Sequence, residues 1–327
     1  MLRFIGRRIL AAIPTLFAIA VISFIIIELP PGDYLTTYVA NLRGSGEPID
    51  EAELEILRQR YGLDKPLLVR FFKWFTGLFK GDFGYSFMWE KPVADLIGPK
   101  IWYTVLISVL STVFAWVTGF LIGVYSGTHQ YSIGDYTFTV LGYIGLATPN
   151  FLLALILLWF AFTTFGVTLG GLFSPEYVNA PWSWEKFVDL LKHIWIPVIV
   201  IGTGSMAGLI RTLRANLLDE LEKPYVTAAR ARGVPEKELV WKYPLRVAVI
   251  PFASTAGWAL PGIVSGAVVT GIVLNLPTVG TILLDALMSQ DMYLAGSLVM
   301  FLSIFTVIGT VISDILLAWL DPRIRLE

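Results

Sequence analysis

Long apolar runs broken by short polar stretches set the plan of this chain. A bilayer core takes roughly 20 apolar residues as helix, and by that rule about six runs qualify. They are Ile9–Leu29, Trp102–Ser126, Tyr136–Phe165, Ile194–Ile210, Ala248–Asn275 and Ala295–Leu320. The pattern predicts an all-α integral membrane protein with six transmembrane helices. Arg3, Arg7 and Arg8 precede the first run, as in a signal peptide. That run is long for a signal h-region and no small-residue cleavage site follows, so it reads as a retained span.

Orientation follows from Lys and Arg placement. The N-terminus carries Arg3, Arg7 and Arg8. The stretch between the fourth and fifth runs carries Arg211, Arg214, Lys223, Arg230, Arg232, Lys237, Lys242 and Arg246, and the C-terminus carries Arg323 and Arg325. An even number of spans puts all three on the cytoplasmic side. The resulting plan is a first span within 1–29 and an extracytoplasmic helical insert at 30–101. A five-helix core at 102–320 follows, with a cytoplasmic loop at 211–247, and a cytoplasmic tail at 321–327 ends the chain.

Within the insert, Asp50 and Glu53 form a capping box for a helix reaching about Tyr61. Leu67–Phe79 mixes Phe71, Phe72, Trp74, Phe75 and Phe79 with Arg70 and Lys73. That suits a helix lying in the membrane interface, or equally one packed against the bundle. The second outer loop, Gly166–His193, holds Trp182 and Trp184. These read as an interfacial aromatic belt or as a contact for an external protein.

The most basic stretch is Tyr225–Pro251. Pro224 ends the preceding helix by removing a backbone donor. Val226–Arg232 is rich in Ala and Arg, both good helix formers. Gly233 suits the left-handed position past a helix end and Pro235 the first turn of the next helix. The local chemistry reads helix, glycine bend, helix. So short a helix with so many alanines is marginal in water alone and fits docking in a groove. The plainer alternative is a basic loop obeying the positive-inside rule.

Composition narrows the function classes. The chain is 56% hydrophobic and 15% charged, against about 25% charged in soluble domains. Its net charge of −1 gives no sign of nucleic-acid binding, and with no Cys there is no disulfide or thiol chemistry. Only His129 and His193 occur, both expected in loops, so a His/Cys metal site is not expected. There is no G-x-x-x-x-G-K-[ST] loop, so the chain has no phosphate cradle of its own. Gly202-x-Gly204-x-x-Ala207 matches a dinucleotide fingerprint formally but falls inside an apolar run with no strand before it. No G-x-S-x-G elbow occurs. The chain reads as a non-enzyme. Asp314, an acid within the sixth run, is a functional candidate by default; without a visible relay it is expected to make a hydrogen bond inside the bundle.

Spans two, four and five carry small residues four apart: Gly119/Gly123/Gly127, Gly204/Gly208 and Gly262/Gly266. In lipid such spacing lets helices approach closely. Pro149-Asn150 at mid-depth and Pro251 and Pro261 mark broken helix, which is tolerated facing protein or a wet cavity. Pro149, Asn150, Pro261, Gly266, Gly271 and Asn275 are the pathway and gating candidates.

Tyr225–Pro251 resembles the "EAA" loop of bacterial ABC-importer permeases of the dipeptide/oligopeptide (Dpp/Opp) family. Thr227-Ala228-Ala229 and Gly233 occupy the places of the acid-Ala-Ala triplet and its glycine, with Thr227 at the acidic position. Tyr243, Leu245 and Arg246 stand where that family usually has His, Leu and Arg. Further landmarks are PGD (Pro31–Asp33), GLDKP (Gly62–Pro66), GDFGYSF (Gly81–Phe87), KPV (Lys91–Val93), LPTVG (Leu276–Gly280), QDMYLAG (Gln290–Gly296), Asp314 and LDPRIR (Leu320–Arg325). The resemblance implies a type I importer permease in the cytoplasmic membrane that takes up short oligopeptides or oligosaccharides. It implies an extracytoplasmic solute-binding protein, a second homologous permease chain and two ATPase subunits as partners. ATP and Mg would sit on the ATPases and no cofactor on this chain. It makes Tyr225, Thr227, Ala228, Ala229, Arg230, Arg232, Gly233, Tyr243, Leu245 and Arg246 the ATPase-coupling residues. Two positions depart from the pattern of peptide permeases: Gly271 stands at a usual acid, and Pro277-Thr278 at a usual Pro-Gly. The rival readings are a self-contained secondary transporter or channel, and a purely structural membrane scaffold.

Overall fold

The computed structural model describes residues 2–28, 55, 64–86, 88–254 and 268–320. The expected capping box at Asp50 and the candidates Pro261 and Gly266 lie outside them. Among the described residues the regular elements are helices and one small hairpin, with an irregular loop at 166–183. In order it runs α1 (Leu2–Glu28), α2 (Leu67–Leu78), β1 (Tyr85–Ser86), β2 (Lys91–Pro92), α3 (Val93–Thr128), α4 (Ile133–Ala147) and α5 (Asn150–Phe165). There follow α6 (Trp184–Leu221), α7 (Pro224–Ala231), α8 (Glu236–Lys242), α9 (Pro244–Ser254), α10 (Val279–Met288) and α11 (Met292–Leu320).

Four stretches are long and apolar enough to cross a membrane: Ile5–Ile25, Val93–Thr128, Trp184–Leu221 and Met292–Trp319. The predicted run Tyr136–Phe165 is two helices, α4 and α5, bent by 107° at Thr148 and Pro149, the place where Pro149-Asn150 marks a break in the sequence. Counted as one crossing, the pair brings the number to five. The predicted fifth run begins in α9 and resumes at residues 268–273, with 255–267 outside the described residues.

Contacts divide the chain into two compact units. The first comprises Met1–Arg8, Val105–Leu276 and Ile308–Glu327. Here α3 and α6 pack with the glycines of α3 facing leucines of α6. A Cβ added at Gly119, Gly123 or Gly127 would lie 2.9 Å from Leu209 Cβ, 3.0 Å from Leu213 Cβ or 2.8 Å from Leu217 Cδ2. The numbers rise together, so the two helices run parallel, and the small-residue spacing serves close packing as its pattern predicts. Helix α4 runs the other way along α6: Asp135 meets Arg214, Gly142 faces Ala207 and Gly145 faces Thr203. Asn150, the first residue of α5, lies against Gly204, and the end of α5 borders a cavity with Trp184 and Trp195. The bent pair therefore returns the chain along the length of α6. Helix α9 folds back on α6, where Leu245, Ala248 and Phe252 join Leu209, Leu213 and Leu217 in one apolar core. Asp314 forms an ion pair with Arg8 (3.3 Å), a charged partner for the intrabundle acid. His193, expected in a loop, lies inside α6 and is buried. Hydropathy marked only the apolar part of that helix, which extends through a polar turn capped by Ser183.

The second unit comprises Ile9–Thr104 and Pro277–Val307. Helix α2 is amphipathic: Phe71 and Trp74 are buried with Ala20 of α1 and Met300 of α11, while Phe72 stays exposed. The hairpin pairs Tyr85 with Pro92 and Ser86 with Lys91. Val93, Ile97, Ile282, Leu294 and Leu298 form the core beneath it.

Candidate coupling surface and pathway

The expected helix–glycine–helix is present. Pro224 opens α7 at its first turn, where its missing N–H costs nothing. Gly233 ends it at φ +79°, with its N–H donating to Arg230 O (3.0 Å) while Val234 N–H reaches back to Ala229 O (3.4 Å). These bonds satisfy carbonyls that a helix end otherwise leaves open. α8 follows with Pro235 as its cap.

Helix α7 has two faces. Val226 and Ala229 are fully buried against Leu239 of α8, with Leu221, Val234 and Tyr243 around them. Tyr225, Thr227, Ala228, Arg230, Arg232 and Gly233 are exposed. The coupling candidates thus separate. Ala229 and Leu245 are buried, Leu245 in the core with α6; Tyr243 is half-buried; Arg246 is exposed. The alanines have a direct consequence: Ala228 presents a flat backbone surface outward while Ala229 lets α7 lie close on α8.

Polar side chains hold the two short helices in place. Arg230 pairs with Glu236 across the glycine bend, Nη2 to Oε2 at 3.2 Å. The Arg230 guanidinium holds the Glu236 carboxyl below the usual carboxylate range. The Tyr225 hydroxyl donates to Glu220 Oε2. Burial, and then that hydrogen bond, push the Tyr225 hydroxyl well above its ordinary pKa. Among the described residues Arg232 has no such clamp: its backbone N–H caps α7, and its side chain lies on the exposed face.

The pathway candidates fall in different settings. Pro149 caps α5 and Asn150 begins it, its amide packed on Gly204. Gly271 is buried and its carbonyl accepts from Leu276 N–H (2.7 Å). Asn275 is exposed at φ +51°, in a turn whose neighbour Leu274 accepts from Gly171 N–H (2.6 Å). Gly171 and Leu274 thereby tie the second outer loop to the end of the fifth run. That loop, with the ends of α5 and α6, borders an open cleft of about 980 Å³ lined in part by Trp184, Glu185, Lys192 and His193. His193 Nδ1 is 2.8 Å from Asp189 O, and Asp189 accepts from both the N–H and the hydroxyl of Ser174. Trp182 and Trp184 are exposed, and Lys186 lies over the Phe173 and Trp182 rings. Among the described residues no cluster of His, Asp and Glu has the makings of a metal site.

Two polar centres escaped the reading of the sequence. Asp135, 2% exposed, receives Nε and Nη2 of Arg214 at 2.8 and 2.7 Å and the Tyr131 N–H at 3.0 Å. Its local signal was present as Ser132-x-x-Asp135, the pattern of a helix cap, and Ser132 Oγ does accept from Asp135 N–H. Asp291, fully buried, accepts from Ser86 Oγ, Met88 N–H and Leu294 N–H. It joins the GDFGYSF and QDMYLAG stretches.

Residues 119–326 match the family described as "Binding-protein-dependent transport system inner membrane component", and residues 1–109 match the N-terminal component of such membrane proteins. The oligopeptide transport system permease protein AppB of Bacillus subtilis is 33% identical over 99% of this chain and 100% of its own length. A putative peptide permease protein of Brucella ovis is 30% identical, and the glutathione transport system permease protein GsiC of Escherichia coli K12 is 29% identical, each over 99% of both chains. With its apolar helices and these full-length likenesses, the chain belongs to the binding-protein-dependent transport system inner membrane component family, as a multi-pass permease subunit of an ABC importer.

Proposed function

We propose that this chain is one of two permease subunits of an importer for short oligopeptides delivered by an extracytoplasmic solute-binding protein. Its partner permease is a second, homologous chain, and two ATPase subunits carry ATP and Mg. The chain crosses the membrane six times with both ends in the cytoplasm, the bent α4–α5 pair forming the third crossing and α9 leading into the fifth. Residues 30–101 form the extracytoplasmic insert, 102–320 the permease core with the loop 211–247 facing the ATPases, and 321–327 the tail. ATP-driven closure of the ATPases moves α7, and that motion switches the cavity between outside and inside. The described positions Pro149, Asn150, Gly271 and Asn275 belong to the pathway.

The observation that carries this reading is α7 itself. It is a short helix anchored inward by Val226 and Ala229, offering Tyr225, Ala228 and Arg232 to a partner. Two of the relatives are named for oligopeptides and glutathione, short peptides both, which supports the substrate class. Gly271 lacks the acid usual in peptide permeases, and that favours an oligosaccharide as the second reading.

The test is co-purification in gentle detergent followed by ATP hydrolysis with loaded binding proteins. A second permease and two ATPases in the complex, with hydrolysis stimulated by a peptide-loaded binding protein, is the expected result. Stimulation only by an oligosaccharide load selects the second reading. Transport by the chain alone in liposomes without ATP refutes both.

A further inference from the structure

A groove of about 210 Å³ lies between α4 and α6, apart from the coupling surface. One end is polar: Asp135 and Arg214 form its floor, with Tyr131, Tyr136 and Arg211 at its rim. The other end is lined by Gly142, Tyr143, Leu146 and Ala207, apolar but for the Tyr143 hydroxyl. Gly142 and Ala207 provide the room there: a Cβ on Gly142 would meet Ala207 Cβ at 3.8 Å. From Asp135 to Leu146 the groove follows roughly 16 Å of helix at 1.5 Å per residue.

We propose that this groove binds an anionic phospholipid, its phosphate against Arg211 and Arg214 and one acyl chain laid along α4 and α6. The lining is amphipathic along one axis, as such a ligand is. Its fixed charges are one carboxylate and two guanidiniums, a net single positive charge. Asp135 is 2% exposed and already accepts three N–H donors from Arg214 and Tyr131, so it is a poor partner for the ammonium of a zwitterionic headgroup. Arg214 uses only Nε and Nη2 on Asp135, and a guanidinium has five N–H donors. Arg211 is exposed, and no ion pair holds it among the described residues. Tyrosines at the rim suit the level of lipid headgroups. The site requires only that α4 and α6 lie in a membrane, and so does not depend on substrate or coupling.

The experiment is native mass spectrometry of the full chain in neutral detergent, titrated with phosphatidylglycerol or with phosphatidylcholine of the same acyl chains. One phosphatidylglycerol per chain is expected to be retained, with phosphatidylcholine bound far more weakly. Arg211→Gln removes a charge-assisted contact and lowers retention on the order of tenfold. Leu146→Trp, half-exposed and uncharged, fills the apolar end and lowers it as well. Equal retention of both lipids, or retention unchanged in both variants, overturns the proposal. So does displacement by excess inorganic phosphate, which identifies an anion site. Release of the lipid as a second permease chain binds also overturns it, by identifying the groove as a protein interface.

Discussion

Ser86 and Asp291 meet across 205 positions of sequence, the hydroxyl donating to the buried carboxylate. The same carboxylate caps α11 through Leu294 N–H and receives Met88 N–H from the hairpin turn. One side chain thus fixes β1–β2 on the start of α11. Beside it, Gly84 sits at φ +84° with Tyr293 so near that a Cβ would lie 2.9 Å from its ring. The hairpin has only two paired residues per strand and would not persist unaided.

Asp291→Ala should therefore free the hairpin. An orphaned buried donor costs about 1–3 kcal/mol, and two N–H groups and a hydroxyl lose their acceptor together. The expected loss is about 3 kcal/mol or more, with fast hydrogen exchange at residues 85–93 and little change in α7. Asp291→Asn keeps the shape and one acceptor oxygen and should fall between. Unchanged exchange in the alanine variant would show that Asp291 does not hold the hairpin.

The α3–α6 contact is equally specific. Gly123→Val puts atoms where Leu213 Cβ already stands at 3.0 Å, and that atom is the root of the side chain, not a movable tip. Overpacking of this kind costs about 1–3 kcal/mol and should lower the midpoint of thermal unfolding in detergent. Gly208, on the same α6, has open space about it. Gly208→Ala should be neutral or stabilising by up to about 1 kcal/mol, through helix propensity. Equal effects of the two substitutions would remove the packing argument.

Asp135 and Arg214 form a pair whose halves are unequal in exposure, at 3% and 27% of the side chain. Removing Arg214 strands a buried carboxylate, and breaking a buried pair costs about 3–5 kcal/mol. Arg214→Met should sit at the lower end because water reaches the guanidinium. Asp135→Asn with Arg214→Met should recover part of the loss, since no charge is then left alone. A double-mutant cycle of unfolding free energies reads the coupling; purely additive losses would mean the two side chains act separately.

How much of this was legible depended on whether the signal was local. Pro224, Gly233 and Pro235 mark helix ends by backbone chemistry alone, and α7 begins and ends, and α8 begins, where they indicate. The glycine spacing of α3 announced a packing face but not its partner, since Leu209, Leu213 and Leu217 lie 90 positions on. Hydropathy reported apolar length and missed geometry. It gave Tyr136–Phe165 as one run; the break was legible only in Pro149-Asn150, where the chain turns by 107°, and the angle was not. It ended α6 short of His193 because Lys186, Asp189 and Lys192 are polar, although their helix continues. The Asp135–Arg214 and Ser86–Asp291 contacts depend on the register of helices distant in sequence, which no local pattern contains.

Gly233 gives the sharpest test of the proposed coupling surface. It lies at φ +79° with nothing within 4 Å of the place a Cβ would take, so backbone conformation and not space excludes other residues. The left-handed region costs a non-glycine residue about 1–2 kcal/mol, more for a β-branched one. Gly233→Val should therefore pull the bend toward another conformation, break the bond from Gly233 N–H to Arg230 O and shift Arg232 on the exposed face. Val226, Ala229 and Leu239 would still hold α7 inward, so membrane insertion and yield should stay normal. Asn tolerates the left-handed region, so Gly233→Asn should keep most of the uptake that Gly233→Val loses. Solute uptake and solute-stimulated ATP hydrolysis, measured on both variants in the assembled importer, decide the matter. Normal uptake by Gly233→Val would mean that the shape of this bend does not carry the motion, whereas equal loss in Val and Asn variants would point to the glycine surface itself as the contact.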